Sequence, residues 1–248
     1  SAALKQLLYF WPSVFGGRTP DLMTTKTGFL TEAINRAGLS EAIRATNREL
    51  MRDIASEIEW AKVSQVAPSD YVDEISKRMQ KPRVLPEQMV QIYTAYESVK
   101  KQELAIDFED VLLLCAAMLE EEREVRERVQ DQYRYFTVDE YQDVSPLQQR
   151  LLNLWLGNRE EICVVGDSAQ TIYSFAGASS TFLLSFTKRF PQAKIVRLSR
   201  GYRSTPEIIR AANKVLRQAA GHQENQHELV SMNESGEQFT LTPYASAF

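Results

Sequence analysis

The stretch FTVDEYQD (residues 136–143) is a short β-rich run that ends in acidic residues. Two further runs, EEICVVGD (160–167) and KIVRLS (194–199), have the same β-branched character, and a helical stretch separates each run from the next. Strands that alternate with helices are typical of a parallel sheet that is flanked by helices. The sequence therefore predicts an α/β fold for this part of the chain.

The helices between these runs carry clear start signals. In SPLQQRLLNLWLG (145–157), Ser145 is placed as the N-cap and Pro146 takes the first helical position. Thr205 and Pro206 repeat the device at the start of TPEIIRAANKVLRQA. Near the end of the chain, FTLTPY (239–244) is typical of one more strand.

Glycine is absent between Gly38 and Gly157, which favours long helices, because glycine is a common helix stop. One of them is predicted over residues 107–133, where an apolar helix becomes a charged, solvated one. The region before the first strand is thus expected to be helical over about residues 1–105.

Composition excludes some classes of protein. The 248 residues carry a formal charge of −4, and no run approaches the roughly 18 apolar residues of a membrane span. We expect no signal peptide, no metal site built from His and Cys, and two buried thiols, Cys115 and Cys163, in a reducing cytoplasm. A net charge near zero does not exclude DNA binding, since phosphate contacts need only a local basic stripe.

Polar residues follow each of the three predicted strands. Asp139 and Glu140 end the first strand, where open parallel sheets bind ligands, and such a pair suits Mg²⁺ binding and the orientation of an attacking water. The alternative is a solvated turn, and the residues alone favour it, because an isolated Asp-Glu pair is usually that. An arginine before a capped helix, Arg203, is either a phosphate contact or a surface charge, and a single arginine favours the latter.

The loop after the second strand contains Gln170 and then two alternating aromatic residues, Tyr173 and Phe175. Aromatic faces in a glycine-flanked loop are suited to stacking on bases. Two aromatic residues near a helix are more often part of a core, however, and the residues alone favour that interpretation.

Taken together, the three strand ends resemble a known family. VDEYQDVSPLQ, VGDSAQTIYSFAGA and LSRGYRST are similar to the second, third and fourth motifs (II, III and IV) of superfamily 1 helicases of the UvrD/Rep type, and DFEDVL (107–112) is similar to a segment that precedes them. The resemblance implies a helical inserted subdomain over residues 1–105. It implies a partial RecA-like ATPase domain over 106–203, and the truncated start of a second one over 204–248.

The resemblance also implies roles in nucleotide chemistry. Asp139 would bind Mg²⁺ and Glu140 would activate the hydrolytic water. Gln170 would sense the γ-phosphate of ATP and couple it to DNA. Tyr202 would stack on adenine, and Arg203 would stabilise the charge that develops on the γ-phosphate.

On the DNA side, the resemblance implies that Tyr173 and Phe175 contact single-stranded bases. Two residues depart from the family pattern. Ala176 stands where relatives often have Arg, and Gly201 stands where Asn usually precedes the Tyr-Arg pair. The first departure bears on coupling between DNA and nucleotide, the second on the loop that aims Arg203.

The resemblance thus implies a fragment of an ATP-dependent DNA helicase or translocase that uses ATP and Mg²⁺. Its expected partners are single-stranded DNA and single/double-strand junctions, with 3′–5′ movement in repair or recombination. None of the ten glycines is followed by Lys, so a phosphate-binding loop is missing, and we expect both ends to be cut and the isolated chain to be inactive. Two alternatives stay open: a catalytically silent helicase-like subunit, and the helicase part of a RecB/AddA-like helicase–nuclease.

Overall fold

The computed structural model describes residues 1–40, 43, 48–78, 81–218, 228–238, 240 and 242. The described helices are α1 (Ala2–Val14), α2 (Thr27–Arg36), α3 (Arg48–Val63), α4 (Tyr71–Ser76), α5 (Pro86–Gln102), α6 (Phe108–Glu121), α7 (Arg123–Gln132), α8 (Pro146–Leu156), α9 (Thr181–Leu184), α10 (Phe186–Arg189) and α11 (Pro206–Gln218). The described strands are β1 (Asp21–Leu22), β2 (Ala105–Ile106), β3 (Phe136–Val138), β4 (Ile162–Val164), β5 (Arg200–Gly201) and β6 (Val230–Ser231).

The chain divides into two compact units, Ser1–Arg189 and Phe190–Phe248. The first unit holds the parallel pairs β1–β2 and β3–β4, and the second holds the parallel pair β5–β6. Parallel strand pairs among many helices confirm the predicted α/β class. The domain limits at residues 105 and 203 stay a prediction.

One apolar core of the first unit is formed by α2, α3, α4 and α5. Helix α3 contributes Ile54, Ile58 and Ala61, whose spacing of four and three residues places them on one helical face. Each large aliphatic side chain buried in this way stabilises the fold by about 1.5–3 kcal/mol. The fully or nearly buried members are Met23, Leu30, Ala33, Ile34, Ile43, Ile54, Ile58, Ala61, Val66, Tyr71, Ile75, Val84, Met89, Ile92, Tyr93 and Tyr96.

A second core in the same unit joins α1, α6, α7 and α8. Helix α1 packs along α6, and α6 packs along α8. The buried members are Ala3, Leu7, Phe10, Ile106, Val111, Cys115, Ala116, Met118, Leu119, Val125, Val129 and Leu151. Helix α8 lies between β3 and β4 in the chain, so this core includes the helix that connects the two strands.

A buried ionic cluster joins α3 and α5 to the start of α6. Both carboxylate oxygens of Asp107 lie 2.7 Å from Nζ of Lys62, and Nζ of Lys100 lies 3.2 Å from one of them. The Tyr96 hydroxyl donates to the same carboxylate at 3.1 Å. Asp107 also caps α6 in a reciprocal capping box with Asp110. One carboxylate thereby holds three helices together.

Two expectations about secondary structure are wrong. Residues 194–199 (KIVRLS) form no strand, and Ile195, Val196 and Leu198 are between 62% and 79% exposed. The parallel pairing starts only at Arg200, because β6 bonds to the chain from Ser199 onward. The helix expected over residues 107–133 is two helices, since the chain becomes extended at Glu122.

Cys163 is also not the buried thiol that its apolar neighbours suggested. Burial alternates along β4, and Cys163 points to the exposed face of the β3–β4 pair, whereas Cys115 is buried in the second core. The predicted strand FTLTPY lies outside the described residues except for positions 240 and 242. Among the helices that are described, none has both the length and the apolar character that crossing a membrane requires.

Candidate functional site

The strand pair β3–β4 brings two of the predicted polar loops to one edge. The two strands run parallel with Val138 opposite Val164, so they end at the same level. The pairing continues past the strand ends, because the amide of Tyr141 donates to the carbonyl of Val165 at 2.8 Å. The acidic pair and the Gln170 loop therefore leave the sheet side by side.

The turn after β3 presents both acidic side chains to solvent. Asp139 and Glu140 are exposed, and the amide of Glu140 donates to Oδ1 of Asp139 at 3.0 Å. Glu140 adopts a left-handed backbone conformation with φ 51° and ψ 43°. A side chain other than glycine in this region costs on the order of 1–3 kcal/mol, and such residues cluster at functional sites.

A buried glutamine links the two strand ends. Gln142 is 1% exposed, and its Nε2 donates to Oε2 of Glu140 at 2.7 Å. Its Oε1 accepts from the backbone amide of Asp167 at 3.0 Å. Because both ends of the side-chain amide are engaged, Gln142 fixes the Glu140 carboxylate relative to the loop that follows β4.

Gly166 makes this link possible. A Cβ atom at Gly166 would lie 2.7 Å from Oε1 of Gln142, which is closer than real Cβ contacts occur. Beyond it, Asp167 caps the short turn Ser168–Gln170, and its Oδ2 accepts from Nε2 of Gln170 at 2.9 Å. A continuous set of hydrogen bonds thus runs from Glu140 through Gln142 and Asp167 to Gln170.

Tyr173 and Phe175 belong to an exposed aromatic loop, residues 173–177. Their side chains are 50% and 52% exposed, and their ring centroids lie 6.1 Å apart. The interpretation of these residues as core, which the sequence alone favoured, is wrong. About half of each side chain is therefore accessible to solvent, and stacking on a base requires an accessible ring.

The aromatic loop rests on the end of α3. Gly177 is buried with φ +91°, and an added Cβ would lie 2.6 Å from Cγ2 of Val63. From the chain after α4, Nη2 of Arg78 donates to the carbonyl oxygen of Phe175 at 2.9 Å. Two separate contacts therefore fix the loop backbone while its rings stay exposed.

The second unit carries Tyr202 and Arg203 just after β5. Both side chains are exposed, that of Tyr202 to 71%. The Tyr202 carbonyl accepts from Nδ2 of Asn233 at 3.1 Å, and the hydroxyl of Ser231 donates to the carbonyl of Ser204 at 2.7 Å. The backbone around the Tyr-Arg pair is thus held by β6 and the residues after it.

The predicted site residues therefore fall into two groups. Asp139, Glu140, Gln170 and the aromatic loop share the first unit, and hydrogen bonds link Glu140 to Gln170. Tyr202 and Arg203 belong to the second unit, where both face solvent. The roles assigned to all of them stay predictions.

Sequence reasoning missed the residues that hold the site together. Gln142 lies inside the acidic motif, and its only signal was an uncharged polar side chain directly before Asp143. Arg78 had no such signal, since it lies 97 positions before Phe175, whose carbonyl it binds.

Comparison with known proteins identifies a family. A family model described as the UvrD/REP helicase N-terminal domain matches residues 20–191. The ATP-dependent DNA helicase UvrD2 of Mycobacterium tuberculosis is 44% identical over 224 residues, which cover 89% of this chain and 31% of that protein.

Two proteins called ATP-dependent DNA helicase PcrA are also similar. That of Leuconostoc citreum is 33% identical over 195 residues, covering 79% of this chain and 25% of the relative. That of Staphylococcus aureus is 38% identical over 126 residues, covering 51% of this chain and 17% of the relative. The chain spans no more than about a third of the length of these relatives. Since the family match covers well over half of the chain and includes both strand-end loops of the first unit, the chain belongs to the UvrD/REP helicase family, within its N-terminal domain.

Proposed function

We propose that this chain is part of an ATP-dependent DNA helicase or translocase. In this proposal the strand-end residues handle ATP, and the aromatic loop contacts single-stranded DNA. The observation that carries it is the hydrogen-bonded link from Glu140 through Gln142 and Asp167 to Gln170. This link joins a candidate water-handling carboxylate to a side chain only three residues before the aromatic loop.

The acidic turn fits a magnesium ion. Mg²⁺ prefers carboxylate oxygens and retains several waters, and the exposed carboxylate of Asp139 at a strand end offers both oxygen and access to solvent. Asp139 would hold the ion, which when bound neutralises phosphate charge. Of the described carboxylates, Glu97, Asp107 and Asp110 also lie close together, but Lys62 and Lys100 occupy the space between them.

The remaining side chains have distinct tasks. Glu140 accepts a proton from the attacking water, and Gln142 keeps its carboxylate aimed at one place. Gln170 reports the γ-phosphate through its contact with Asp167. Tyr202 offers an exposed ring to adenine, and the Arg203 guanidinium is suited to bind two phosphate oxygens.

On the nucleic-acid side, the exposure of Tyr173 and Phe175 supports base stacking, which is sequence-tolerant. The names of the relatives describe DNA helicases. Together with the motif resemblance they support movement on single-stranded DNA, and we extend the proposal to 3′–5′ polarity, to single/double-strand junctions and to DNA repair or recombination.

The test is Glu140→Gln in the parent protein. The amide keeps size and hydrogen bonding but accepts no proton, so we expect nucleotide binding to be retained and hydrolysis to be lost. ATP affinity is measured with a fluorescent analogue, and turnover by phosphate release. Glu124→Gln, which changes an exposed acid on α7, is the matched control. Equal losses of binding and turnover would make Glu140 structural.

The proposal also covers the 248-residue chain by itself, which should not hydrolyse ATP, because a Gly-rich loop followed by Lys is missing from its sequence. DNA-stimulated turnover by this chain alone would contradict this. A parent protein that binds DNA but shows no turnover would instead favour the silent subunit.

A further inference from the structure

The aromatic loop is held in place by one partly buried arginine from another part of the first unit. Arg78 follows α4, and its side chain is 16% exposed. Its Nη1 lies 2.9 and 3.0 Å from the two carboxylate oxygens of Glu57 on α3, while Nη2 donates to the carbonyl of Phe175. The guanidinium carbon lies 4.0 Å from the centroid of the Trp60 ring.

These contacts use the whole shape of the guanidinium. A planar fork is needed to bind a carboxylate with one nitrogen, a carbonyl with another, and an aromatic face with its plane. The Tyr71 hydroxyl fixes the carboxylate further by donating to Oε1 of Glu57 at 2.7 Å. Burial, followed by the contact with Glu57, raises the pKa of Tyr71, so the hydroxyl keeps the proton that it donates.

From this geometry we infer that Arg78 is a positioning residue for the contact with single-stranded nucleic acid. It binds the backbone of Phe175 and leaves the ring exposed, so it sets where the stacking surface lies without touching a base. Gly177 supplies the second attachment, because its backbone packs against Val63 where no Cβ fits. The inference rests on the proposed DNA role of Tyr173 and Phe175.

The energetics favour this role over a surface charge. A charge-assisted hydrogen bond in a partly buried site is stronger than a neutral one, and three partners hold Arg78 in one orientation. An unheld loop of small residues, such as Ser174 and Ala176, has many backbone conformations. Ordering those conformations on binding weakens affinity, whereas a loop that is already ordered avoids this loss.

The experiment measures the affinity of the parent protein for a fluorescein-labelled oligothymidylate by anisotropy. A stacked base is worth about 1–3 kcal/mol, or roughly 5- to 150-fold in affinity. In Arg78→Ala the aromatic loop is no longer fixed by the guanidinium, so binding should weaken roughly tenfold. Arg78→Lys should not restore it, because an ammonium cannot span the three partners. ATP affinity should stay unchanged.

Arg83 offers a matched control. It also pairs with α3, through Asp53 at 3.1 Å and Glu49 at 3.6 Å, but it is 67% exposed and is paired with the other end of that helix. Arg83→Ala removes the same charge and should leave the affinity within about twofold, as surface ion pairs contribute little.

A double-mutant cycle separates positioning from direct contact. In a background with Tyr173→Ala and Phe175→Ala, the change Arg78→Ala should have almost no further effect, since the rings through which it acts are gone. A further tenfold loss in that background, with a smaller salt dependence, would mean that Arg78 binds phosphate directly, and would overturn the inference.

Hydrogen exchange checks that the effect is local. The amides of Ala176, Gly177 and Ala178 bond within the loop, and they should exchange faster in Arg78→Ala while other segments keep their rates. If this variant does not fold, Arg78→Lys carries the test, and wild-type affinity in a folded Arg78→Lys overturns the inference. Unchanged affinity in Tyr173→Ala and Phe175→Ala would instead contradict the proposed DNA role itself.

Discussion

Gln142 shows how much one buried side chain does at this site. It satisfies the amide of Asp167 and holds the Glu140 carboxylate, and a leucine would do neither. Gln142→Leu in the parent should lower kcat for ATP and cost about 1–3 kcal/mol of unfolding free energy, because the partly buried amide of Asp167 loses its acceptor. Steady-state kinetics and denaturant unfolding measure the two effects.

The control for this change is Gln132→Leu, which alters an exposed residue at the end of α7. It should change neither quantity by much. If Gln142→Leu kept normal turnover, the link between the two strand ends would have no part in hydrolysis.

Arg203 makes a prediction of a different kind. A guanidinium that binds the γ-phosphate acts mainly in the transition state, so Arg203→Ala in the parent should lower kcat by roughly 10³-fold or more with little effect on folding. Arg203→Lys should not rescue turnover, because a point charge lacks the planar fork.

The neighbouring Arg200 is the comparison for Arg203. It lies in β5, three residues earlier, and is also exposed. Arg200→Ala should reduce kcat far less. Normal turnover in Arg203→Ala would remove Arg203 from the site.

At the scale of elements, the start of α6 depends on the charge of Asp107. Asp107→Asn removes a buried charge that Lys62 and Lys100 both contact, and breaking a buried ion pair costs about 3–5 kcal/mol. We expect a loss of this size in chemical denaturation. Asp21→Asn, which breaks an exposed pair with Arg18, should cost well under 1 kcal/mol. A similar cost for both variants would contradict the importance of the buried cluster.

The elements that the sequence predicts well are those with local signals. Helix α8 begins at Pro146 after Ser145, as expected, and the structure adds a reciprocal bond in which the amide of Ser145 donates to Oε1 of Gln148. The strands β3 and β4 lie where β-branched residues precede acidic ones. Local rules suffice here because a cap or a strand end is decided within a few residues.

Other elements depend on partners that are distant in the sequence. Residues 194–199 have the composition of a strand, but a strand needs a neighbour to receive its hydrogen bonds. The aromatic loop is held by a hydrogen bond from Arg78 to Phe175. The two residues are so far apart in the sequence that no local pattern predicts this contact. For Tyr173 and Phe175 the residues alone favoured the core, whereas the motif resemblance implied contact with bases, and both side chains are exposed.

For the whole molecule, the cluster around Asp107 implies a characteristic dependence of stability on pH. Burial alone raises the pKa of Asp107, but Lys62 and Lys100 outweigh it and hold the pKa below its ordinary 3.8. Burial likewise opposes the charge on Lys62, but Asp107, Glu97 and Asp110 raise its pKa above 10.5. An acid with a lowered pKa stabilises the fold above pH 3.8, and a lysine with a raised pKa stabilises it below pH 10.5.

The stabilisation that Asp107 and Lys62 contribute to the unfolding free energy should therefore be lost as the pH falls below about 4, and again as it rises above about 10. Urea titrations across this range measure it. In Asp107→Asn the unfolding free energy should fall less steeply at acid pH, because a carboxyl group with a lowered pKa has been removed. An unchanged pH dependence below about pH 4 would show that other carboxyl groups determine the loss of stability in acid.

The exposed thiol of Cys163 can be labelled selectively. Burial raises the pKa of the other thiol, Cys115, to about 12, so that sulfur is both shielded and protonated at neutral pH. A maleimide fluorophore added to the folded 248-residue chain should therefore attach once, at Cys163, as a single mass increment. The dye would be fixed to β4 four positions ahead of Asp167, where its brightness can report events at the strand edge without any engineered cysteine.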